Sequence, residues 1–303
     1  LEASSHALDQ ERFKGIKFNT SGFTNLSRDH FDYHNNINKY FEAKLKLFSK
    51  NLSDKFVYID SEWGNKVKDN SVIPSFKIGN NNDSNLRILE EKLFPNINLK
   101  IQINEDKHDI NLNVTGPNFN LNFLLALSMA YFSEKSDIQN YEENFKHIQN
   151  TKGRFEIINF KSNKIVVDYA HTPDAIKTTV DFVTQYFSSV IVVFGAGGDR
   201  DIEKRLLMGN ASKNADQIII TNDNPRHEDP EKIAKDILEG CDKEKTVVIL
   251  DRKEAITYGI NQLKENSVLL VLGKGHEMHQ EIKNKKINFN DFDYISDLLG
   301  DIN

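Results

Sequence analysis

The chain has 303 residues, a length that favours two domains of about 150 residues each over a single core. With 38% hydrophobic and 28% charged residues it has the composition of a soluble globular protein, and no apolar run approaches the roughly 20 residues of a membrane span. The net charge of −6 argues against non-specific nucleic-acid binding, and the single cysteine, Cys241, excludes an internal disulfide framework and suits a reducing cytosol.

The first residues, "LEASSHAL", lack an initiator methionine, so we expect the chain to be a fragment of a longer protein. Together with "TNLSRDHFDYH" (24–34) this segment offers Glu2, His30 and Asp32, which are hard or borderline metal ligands. The run "SSH" (4–6) does not predict a hydrolase, because no nucleophile elbow surrounds it.

The next element, "NINKYFEAKLKLFSK" (36–50), is predicted to be a helix. At 100° per residue, Lys44 falls on the apolar face while Lys46 points the opposite way. The apolar members of that face are Phe41, Leu45, Leu47 and Phe48. A lysine in this position either extends its ammonium to solvent or is a desolvated amine with a lowered pKa that can react. The pattern alone leaves both readings open.

The remainder of the first half is less regular, and we place a domain boundary near "NTKGRFE" (150–156), giving domains 1–150 and 151–303. From Lys164 onward, short β-branched runs alternate with helical segments, which predicts βα units and a mostly parallel sheet covered on both faces. Thr172 and Asp229 each precede a proline and are predicted N-caps, and Gly240 is predicted to close a helix.

Each predicted strand of the second half ends in a polar cluster. In chain order these are "DYAHTPD", "GAGGDRD", "NDNPRHED", "DRKE" and "GKGHE". Ligands of open parallel sheets bind at the carboxyl ends of the strands, so the five clusters indicate one site along one edge of the sheet.

A dinucleotide-binding turn is the competing interpretation of "VIVVFGAGGDRD". Gly195 and Gly197 fit its first two positions, but Arg200 stands where a third glycine must allow close packing of helix on strand. We therefore disfavour NAD or FAD binding.

The segments "EASSHALDQERF", "FTNLSRDHFDYH" and "YFEAKLKLF" resemble the central domain of the Mur ligases. "GRFE", "DYAHTPDA", "FGAGGDRDIEKR", "DNPR" and "GKGHE" resemble their C-terminal domain, in the same order along nearly the whole chain. The resemblance implies part of a P-loop-type ATP-binding α/β domain followed by a Rossmann-like, mostly parallel α/β domain.

"DNPR" with "GKGHE" implies a ligase of peptidoglycan precursor synthesis that adds meso-2,6-diaminopimelate to the D-glutamate of UDP-N-acetylmuramoyl-L-alanyl-D-glutamate, using ATP and Mg²⁺. The implied enzyme is a cytoplasmic monomer that acts on small molecules and binds neither nucleic acid nor membrane. The alternatives are a sibling ligase that adds L-lysine or polyglutamates a folate, and a non-catalytic binding fragment.

The resemblance also implies roles for individual residues. Glu2, His30 and Lys44 match the metal and catalytic positions, with Lys44 carbamylated by CO₂. The family positions that contact the nucleotide-sugar dipeptide correspond to Ser4, Gln10 and Arg12. Those of the diaminopimelate pocket correspond to Arg200, Asp223, Asn224, Arg226, Gly273 and Glu277. Those around ATP correspond to Asn120, Arg154, Asp168 and His171.

Two departures from the family pattern bear on ATP. The family's Gly-rich phosphate loop, which ends in Gly-Lys-Thr/Ser, is absent from these 303 residues, so we expect a polypeptide of these residues alone not to be a competent ligase. "FNLNFLLA" places Phe123 where the family has a second Asn, which leaves Asn120, or else Asn122, for the adenine contact.

Overall fold

The computed structural model describes residues 1–134, 138–283 and 285–300. The chain divides into two compact units, Leu1–Gln149 and Asn150–Asn303. Both are α/β, and parallel pairing dominates their two six-stranded sheets, which confirms the predicted fold class. Among the residues so described, no helix combines the length and the apolar character needed to cross a membrane.

The first unit is built on a sheet in which the strands follow chain order, β1-β2-β3-β4-β5-β6. The strands are β1 (Phe18–Phe23), β2 (Ser53–Ile59), β3 (Ser75–Gly79), β4 (Leu86–Lys92), β5 (Ile97–Ile103) and β6 (Asp106–Leu112). The first four pair in parallel and the last three are antiparallel. The helices are α1 (Ser5–Asp9), α2 (Phe31–His34), α3 (Ile37–Leu45), α4 (Glu62–Asn70), α5 (Phe119–Glu134) and α6 (Gln139–Phe145).

The second unit has the sheet order β11-β10-β9-β12-β8-β7. Its strands are β7 (Glu156–Phe160), β8 (Asn163–Asp168), β9 (Ser189–Phe194), β10 (Gln217–Ile220), β11 (Thr246–Val248) and β12 (Ser267–Leu272), with a separate hairpin of β13 (His279–Ile282) and β14 (Lys285–Asn288). Its helices are α7 (Pro173–Val183), α8 (Glu203–Ala211), α9 (Pro230–Leu238), α10 (Arg252–Asn261) and α11 (Asp291–Gly300).

Local sequence explains most of these elements. The strands β9 and β12 are continuous apolar runs that are buried along almost their whole length, as parallel strands covered on both faces must be. The predicted N-caps are confirmed: the Thr172 side chain accepts from the Ala175 amide, and the Asp229 side chain accepts from the Glu231 amide. One face of the sheet packs on α10 and α11, which together with the strands form a continuous hydrophobic core.

The helix predicted over 36–50 is shorter than expected. The α-helix ends at Leu45, and a 3₁₀ turn follows over Lys46–Phe48. Two hydroxyls favour this ending, because Ser49 Oγ donates to the Lys46 carbonyl at 2.8 Å and Ser53 Oγ donates to the Leu47 carbonyl at 2.7 Å.

Gly240 follows a helix as predicted, since α9 ends at Leu238, but close packing is the stronger reason for a glycine there. A Cβ at Gly240 would lie 1.9 Å from the Leu206 carbonyl oxygen of α8, and one at Gly209 would lie 2.2 Å from the Ile237 carbonyl oxygen. The two glycines therefore allow α8 and α9 to approach each other backbone to backbone.

Candidate functional site

Five strands of the second unit, β8 to β12, run parallel, so their carboxyl ends lie along one edge of the sheet. Each of the five polar clusters begins within three residues of the end of its strand. This confirms that the clusters share one edge, where open α/β sheets bind their ligands.

The loops after β9 and β10 interlock at this edge. The Gly198 amide donates to the Asn224 carbonyl at 2.9 Å, and Arg226 Nη1 donates to the Gly198 carbonyl at 2.7 Å. A Cβ at Gly198 would lie 2.0 Å from the Pro225 carbonyl oxygen, so a larger residue would push the loops apart. Arg226 itself has a φ of 51°, a left-handed conformation that costs a non-glycine residue energy and is common at functional sites.

Asn224 and Glu277 meet although 53 residues separate them, because Asn224 Nδ2 donates to Glu277 Oε2 at 2.8 Å. The protein itself therefore accepts from the Asn224 amide in this structure, and a contact of Asn224 with diaminopimelate stays a prediction. Burial opposes ionisation of Glu277, but hydrogen bonds from Lys274 and Asn224 prevail and lower the pKa of the carboxyl below its usual value.

Two arginines are near each other beside Gly197. A Cβ built on Gly197 would lie 3.0 Å from Arg226 Nη1 and 3.8 Å from Arg200 Cγ. Arg200 is exposed, whereas Arg226 is partly buried and its Nε lies 3.3 Å from Glu281 Oε2. The two arginine side chains thus start from one place, where their guanidinium groups could serve an anionic group.

Sequence reasoning missed the buried charges beneath this surface, which are Lys274, Arg252 and Asp291. Arg252 Nε and Nη2 donate to the two carboxylate oxygens of Asp291, both at 2.7 Å. Asp223 is buried next to this pair, and burial raises the pKa of its carboxyl against the opposing fields of Arg252 and Lys274. The lysine within "GKGHE" was the available signal, because a lysine flanked by two glycines at a buried strand end is unusual.

A second group of predicted residues surrounds Tyr169. The Arg154 guanidinium lies 4.5 Å from the centre of the Tyr169 ring, and His171 Nδ1 lies 2.7 Å from the Tyr169 carbonyl oxygen. Burial raises the pKa of Asp168, although the amides of Phe155 and Ala170 donate to its carboxylate. The structure brings Arg154, Asp168 and His171 together at the end of β8.

In the first unit, the surroundings of Lys44 bear on the two interpretations that the helical pattern leaves open. Lys44 is partly buried, and its Nζ donates to the Ala3 carbonyl at 3.0 Å. Burial lowers the pKa of this amine, and the nearby Glu2 carboxylate only partly offsets the effect. Lys46, by contrast, is exposed and pairs with Asp9 at 2.7 Å. The structure therefore favours a desolvated Lys44 amine over one that extends to solvent.

Tyr40 connects the predicted metal ligands. Its ring centre lies 5.9 Å from Lys44 Nζ and 5.8 Å from the His30 ring centre. Burial, with the negative charges of Asp29 and Glu2, raises the pKa of Tyr40 to about 12. His30 has a left-handed φ of 57°. Within the described part of the chain no three His, Cys, Asp or Glu side chains form a group that could hold a metal ion.

Two further histidines, to which the sequence analysis assigned no role in a site, lie near His30. His6 stacks edge-on to His30 with ring centres 5.1 Å apart, and it also contacts Tyr33. His34 is buried and bonds Ser5 at 2.9 Å, and burial followed by the charge of His6 lowers its pKa. These contacts fix α1 against α2.

The residues predicted to contact the nucleotide-sugar dipeptide lie in and after α1. Ser4 is the N-cap of that helix and accepts from the Ala7 amide at 3.2 Å. Arg12 Nη2 donates to Gln10 Oε1 at 2.6 Å, and both side chains are exposed. An exposed, preformed pair of this kind can bind a ligand, and its contacts to a dipeptide stay a prediction.

Asn120 lies in the first turn of α5, where its buried Nδ2 donates to Glu91 Oε2 at 2.7 Å. Asn122 is exposed, and Phe123 packs edge-on against Phe145 in the core. The apolar packing of Phe123 explains why a phenylalanine stands at that position, and the adenine contact of Asn120 stays a prediction.

Comparison with known proteins gives the same family for both units. Residues 1–130 match the Mur ligase middle domain, and residues 153–275 match the Mur ligase, glutamate ligase domain. Two relatives are named UDP-N-acetylmuramoyl-L-alanyl-D-glutamate–2,6-diaminopimelate ligase. The protein of Rickettsia conorii is 41% identical to this chain, and the match covers 97% of this chain and 63% of the relative. The protein of Aquifex aeolicus is 38% identical, and the match covers 99% of this chain and 62% of the relative. The chain thus spans a little under two thirds of the length of these relatives.

Solved structures agree. A structure of UDP-N-acetylmuramoyl-L-alanyl-D-glutamate–2,6-diaminopimelate ligase superposes with a TM-score of 0.63 and 31% identity, covering 100% of this chain and 64% of that one. Folylpolyglutamate synthase of Mycobacterium tuberculosis superposes with a TM-score of 0.69 but 18% identity, over 84% of this chain and 60% of that one, so it shares the fold alone. The chain belongs to the Mur ligase family and comprises its middle and C-terminal domains.

Proposed function

We propose that this chain is part of an ATP-dependent amide ligase that adds meso-2,6-diaminopimelate to UDP-N-acetylmuramoyl-L-alanyl-D-glutamate. The relatives named for that reaction support the proposal. The observation that carries it is the arrangement of Arg226, Asn224 and Glu277 at one sheet edge. We place the enzyme in the cytoplasm as a monomer acting on small molecules, without nucleic acid or membrane.

The charges of this edge suit the far end of diaminopimelate, which carries both a carboxylate and an ammonium. Arg226 and Arg200, which lie beside the same glycine, supply cations for the carboxylate. The planar fork of a guanidinium group matches the two oxygens of a carboxylate. Hydrogen bonds from Lys274 and Asn224 lower the pKa of Glu277 and so favour its carboxylate form. That carboxylate and the Gly273 carbonyl can accept hydrogen bonds from a ligand ammonium.

The chemistry follows from the poor electrophilicity of a carboxylate. An oxygen of the D-glutamate γ-carboxylate forms a bond to the γ-phosphorus of ATP, and ADP leaves. The neutral amine of diaminopimelate then attacks the acyl carbon, phosphate leaves with the bonding electron pair, and the nitrogen loses a proton. Both steps depend on positioning and on charge neutralisation. In this proposal the residues that contact ATP are Asn120, Arg154, Asp168 and His171.

Glu2, His30 and Lys44 are the residues that would hold Mg²⁺, which neutralises phosphate charge when bound. The donor set fits if Lys44 is carbamylated, since Glu2 and His30 alone are two ligands. The partly desolvated amine of Lys44 supports this, because CO₂ adds to a neutral amine, with loss of a proton, to give a two-oxygen anion. Carbamylation would thereby turn a partly buried cation into a metal ligand.

The test uses the ligase that carries this chain, with ATP, Mg²⁺, the nucleotide dipeptide and meso-diaminopimelate. We expect phosphate release that depends on diaminopimelate, and a product whose mass is that of the nucleotide tripeptide. L-Lysine and L-glutamate in place of diaminopimelate serve as controls for the lysine-adding and folate-polyglutamating ligases. Product formation with either control but not with diaminopimelate would refute the proposed substrate.

A separate prediction concerns nucleotide binding by these 303 residues. They contain no Gly-Lys-Thr/Ser phosphate loop, whose backbone amides would cradle the triphosphate. We therefore expect a polypeptide of these residues to bind ATP weakly or not at all in calorimetry. Low-micromolar affinity would contradict this, and would show that Asn120, Arg154 and His171 suffice without a phosphate cradle.

A further inference from the structure

Lys274 is one of the most deeply buried charged residues of the second unit, with no exposed surface. All three hydrogens of its ammonium have an acceptor: Asn224 Oδ1 at 3.2 Å, Glu277 Oε2 at 2.8 Å and the His279 carbonyl at 2.8 Å. A buried cation is tolerated when it is paired and fully hydrogen-bonded in this way. Two of the three acceptors belong to the proposed diaminopimelate site.

The backbone turns Lys274 inward because glycines flank it. Gly273 and Gly275 have φ values of 109° and 51°, which other residues adopt only with strain. A Cβ at Gly273 would lie 2.7 Å from Asp223 Oδ2, and one at Gly275 would lie 2.5 Å from the Gly153 carbonyl oxygen. The two glycines of "GKG" thus allow the Lys274 ammonium to lie beneath the proposed diaminopimelate site.

The bonds made by Lys274 determine which atoms face a ligand. Asn224 Oδ1 accepts from Lys274 and from the Glu281 amide at 2.9 Å, so Asn224 Nδ2 is directed to Glu277. Glu277 Oε2 then accepts from both Lys274 and Asn224. In the ranges described here, Glu277 Oε1 has no hydrogen-bond partner, and the side chain is 30% exposed. One oxygen is anchored to the protein, and the other remains for a ligand.

We propose that Lys274 is a positioning residue that orients Asn224 and Glu277 so that the Glu277 carboxylate receives the ammonium of the incoming amino acid. This rests on the proposed function for the identity of the amino acid. Lys274 does not contact the ligand in this proposal, because its three hydrogens are already bonded. Its role is to preorganise the site before the ligand arrives.

The pH dependence of binding provides a signature that general destabilisation would not give. The charged groups around Glu277 are Lys274, Arg226, Arg252, Asp223 and Asp291. The pKa of Glu277 lies below its usual value partly because Lys274 donates to it. Without Lys274 this pKa rises. When the solution is acidified, Glu277 should then be protonated, and should lose its attraction for an ammonium, at a higher pH than in wild type.

The experiment measures meso-diaminopimelate binding to the ligase that carries this chain by calorimetry, for wild type, Lys274→Met and Lys274→Arg. We expect at least a tenfold loss of affinity for Lys274→Met, a smaller loss for Lys274→Arg, and for Lys274→Met a binding profile shifted to higher pH. Ile260→Ala, which removes core packing of α10, is the control for stability alone and should keep wild-type affinity. If Lys274→Met does not fold, Lys274→Gln replaces it, with the same expectation.

A crystal structure of the same variant tests the positioning without a ligand. We expect Asn224 and Glu277 to change rotamer in Lys274→Met, and unchanged rotamers together with wild-type affinity would overturn the proposal. If wild type does not bind diaminopimelate but the rotamers change, the positioning role stands and the proposed substrate is wrong. The two failures are therefore distinguishable.

Discussion

Replacing Lys44 by alanine in the ligase that carries this chain is expected to lower kcat by about 10²–10³-fold or more, the cost of removing a group that stabilises transition-state charge. The change removes the amine on which CO₂ would form a metal ligand beside Glu2 and His30. The measurement is phosphate release at saturating ATP and Mg²⁺. Excess bicarbonate should not restore activity, because alanine has no nitrogen to carbamylate.

A short carboxylic acid should partly restore the Lys44→Ala enzyme, since its two oxygens can enter the space that the side chain vacates. Lys46→Ala is the matched control, because Lys46 lies two residues away, is exposed and pairs with Asp9, and it should keep near wild-type activity. Carbon-13 NMR with labelled CO₂ should show a carbamate in wild type and none in Lys44→Ala. Wild-type turnover by Lys44→Ala would disprove the carbamate.

The part of the fold that could be predicted from the sequence is the part that local sequence patterns determine. The strands β8 to β12 and the helices between them follow from apolar runs, caps and turns that involve neighbouring residues. The edge on which the site lies follows from parallel pairing alone. Lys44 was placed on the apolar side of its helix by helical geometry, and the structure finds it partly buried.

What the sequence could not supply are contacts between residues far apart along the chain. Arg252 and Asp291 form their buried pair across 39 residues, and nothing at either position indicates the other. The Tyr40 ring lies near both His30 and Lys44 only once α3 is packed, and only then does burial raise the pKa of Tyr40. Which buried charges pair depends on how the folded chain packs, so the spacing of residues along the sequence does not predict the pairs.

Replacing Arg226 by alanine is expected to raise the KM for diaminopimelate while leaving those for ATP and the nucleotide dipeptide nearly unchanged. The reason is that diaminopimelate, unlike lysine, brings a carboxylate to this guanidinium. Truncating one partner of a hydrogen-bonded charge pair costs about 2–5 kcal/mol. That corresponds to roughly thirtyfold to a few thousandfold in kcat/KM.

The structure shows how the Arg226 side chain is held ready. Its Nη1 donates to the Gly198 carbonyl and its Nε faces Glu281, so the plane of the guanidinium is fixed before a ligand binds. Arg226→Lys should recover little, because a single ammonium cannot make two parallel hydrogen bonds to a carboxylate. Lys232→Ala, which removes an exposed cation from α9, is the control for a change of net charge and should leave the kinetics unchanged.

The selectivity of the loop is measured as amino-acid-dependent phosphate release with diaminopimelate and L-lysine side by side. For wild type we expect a strong preference for diaminopimelate, since lysine brings no further carboxylate, beyond that of Glu281, to the partly buried guanidinium of Arg226. For Arg226→Ala the preference should fall, because both amino acids then lack that partner equally. If wild type used lysine as well as diaminopimelate, or if Arg226→Ala kept the full preference, the "DNPR" loop would not select the amino acid.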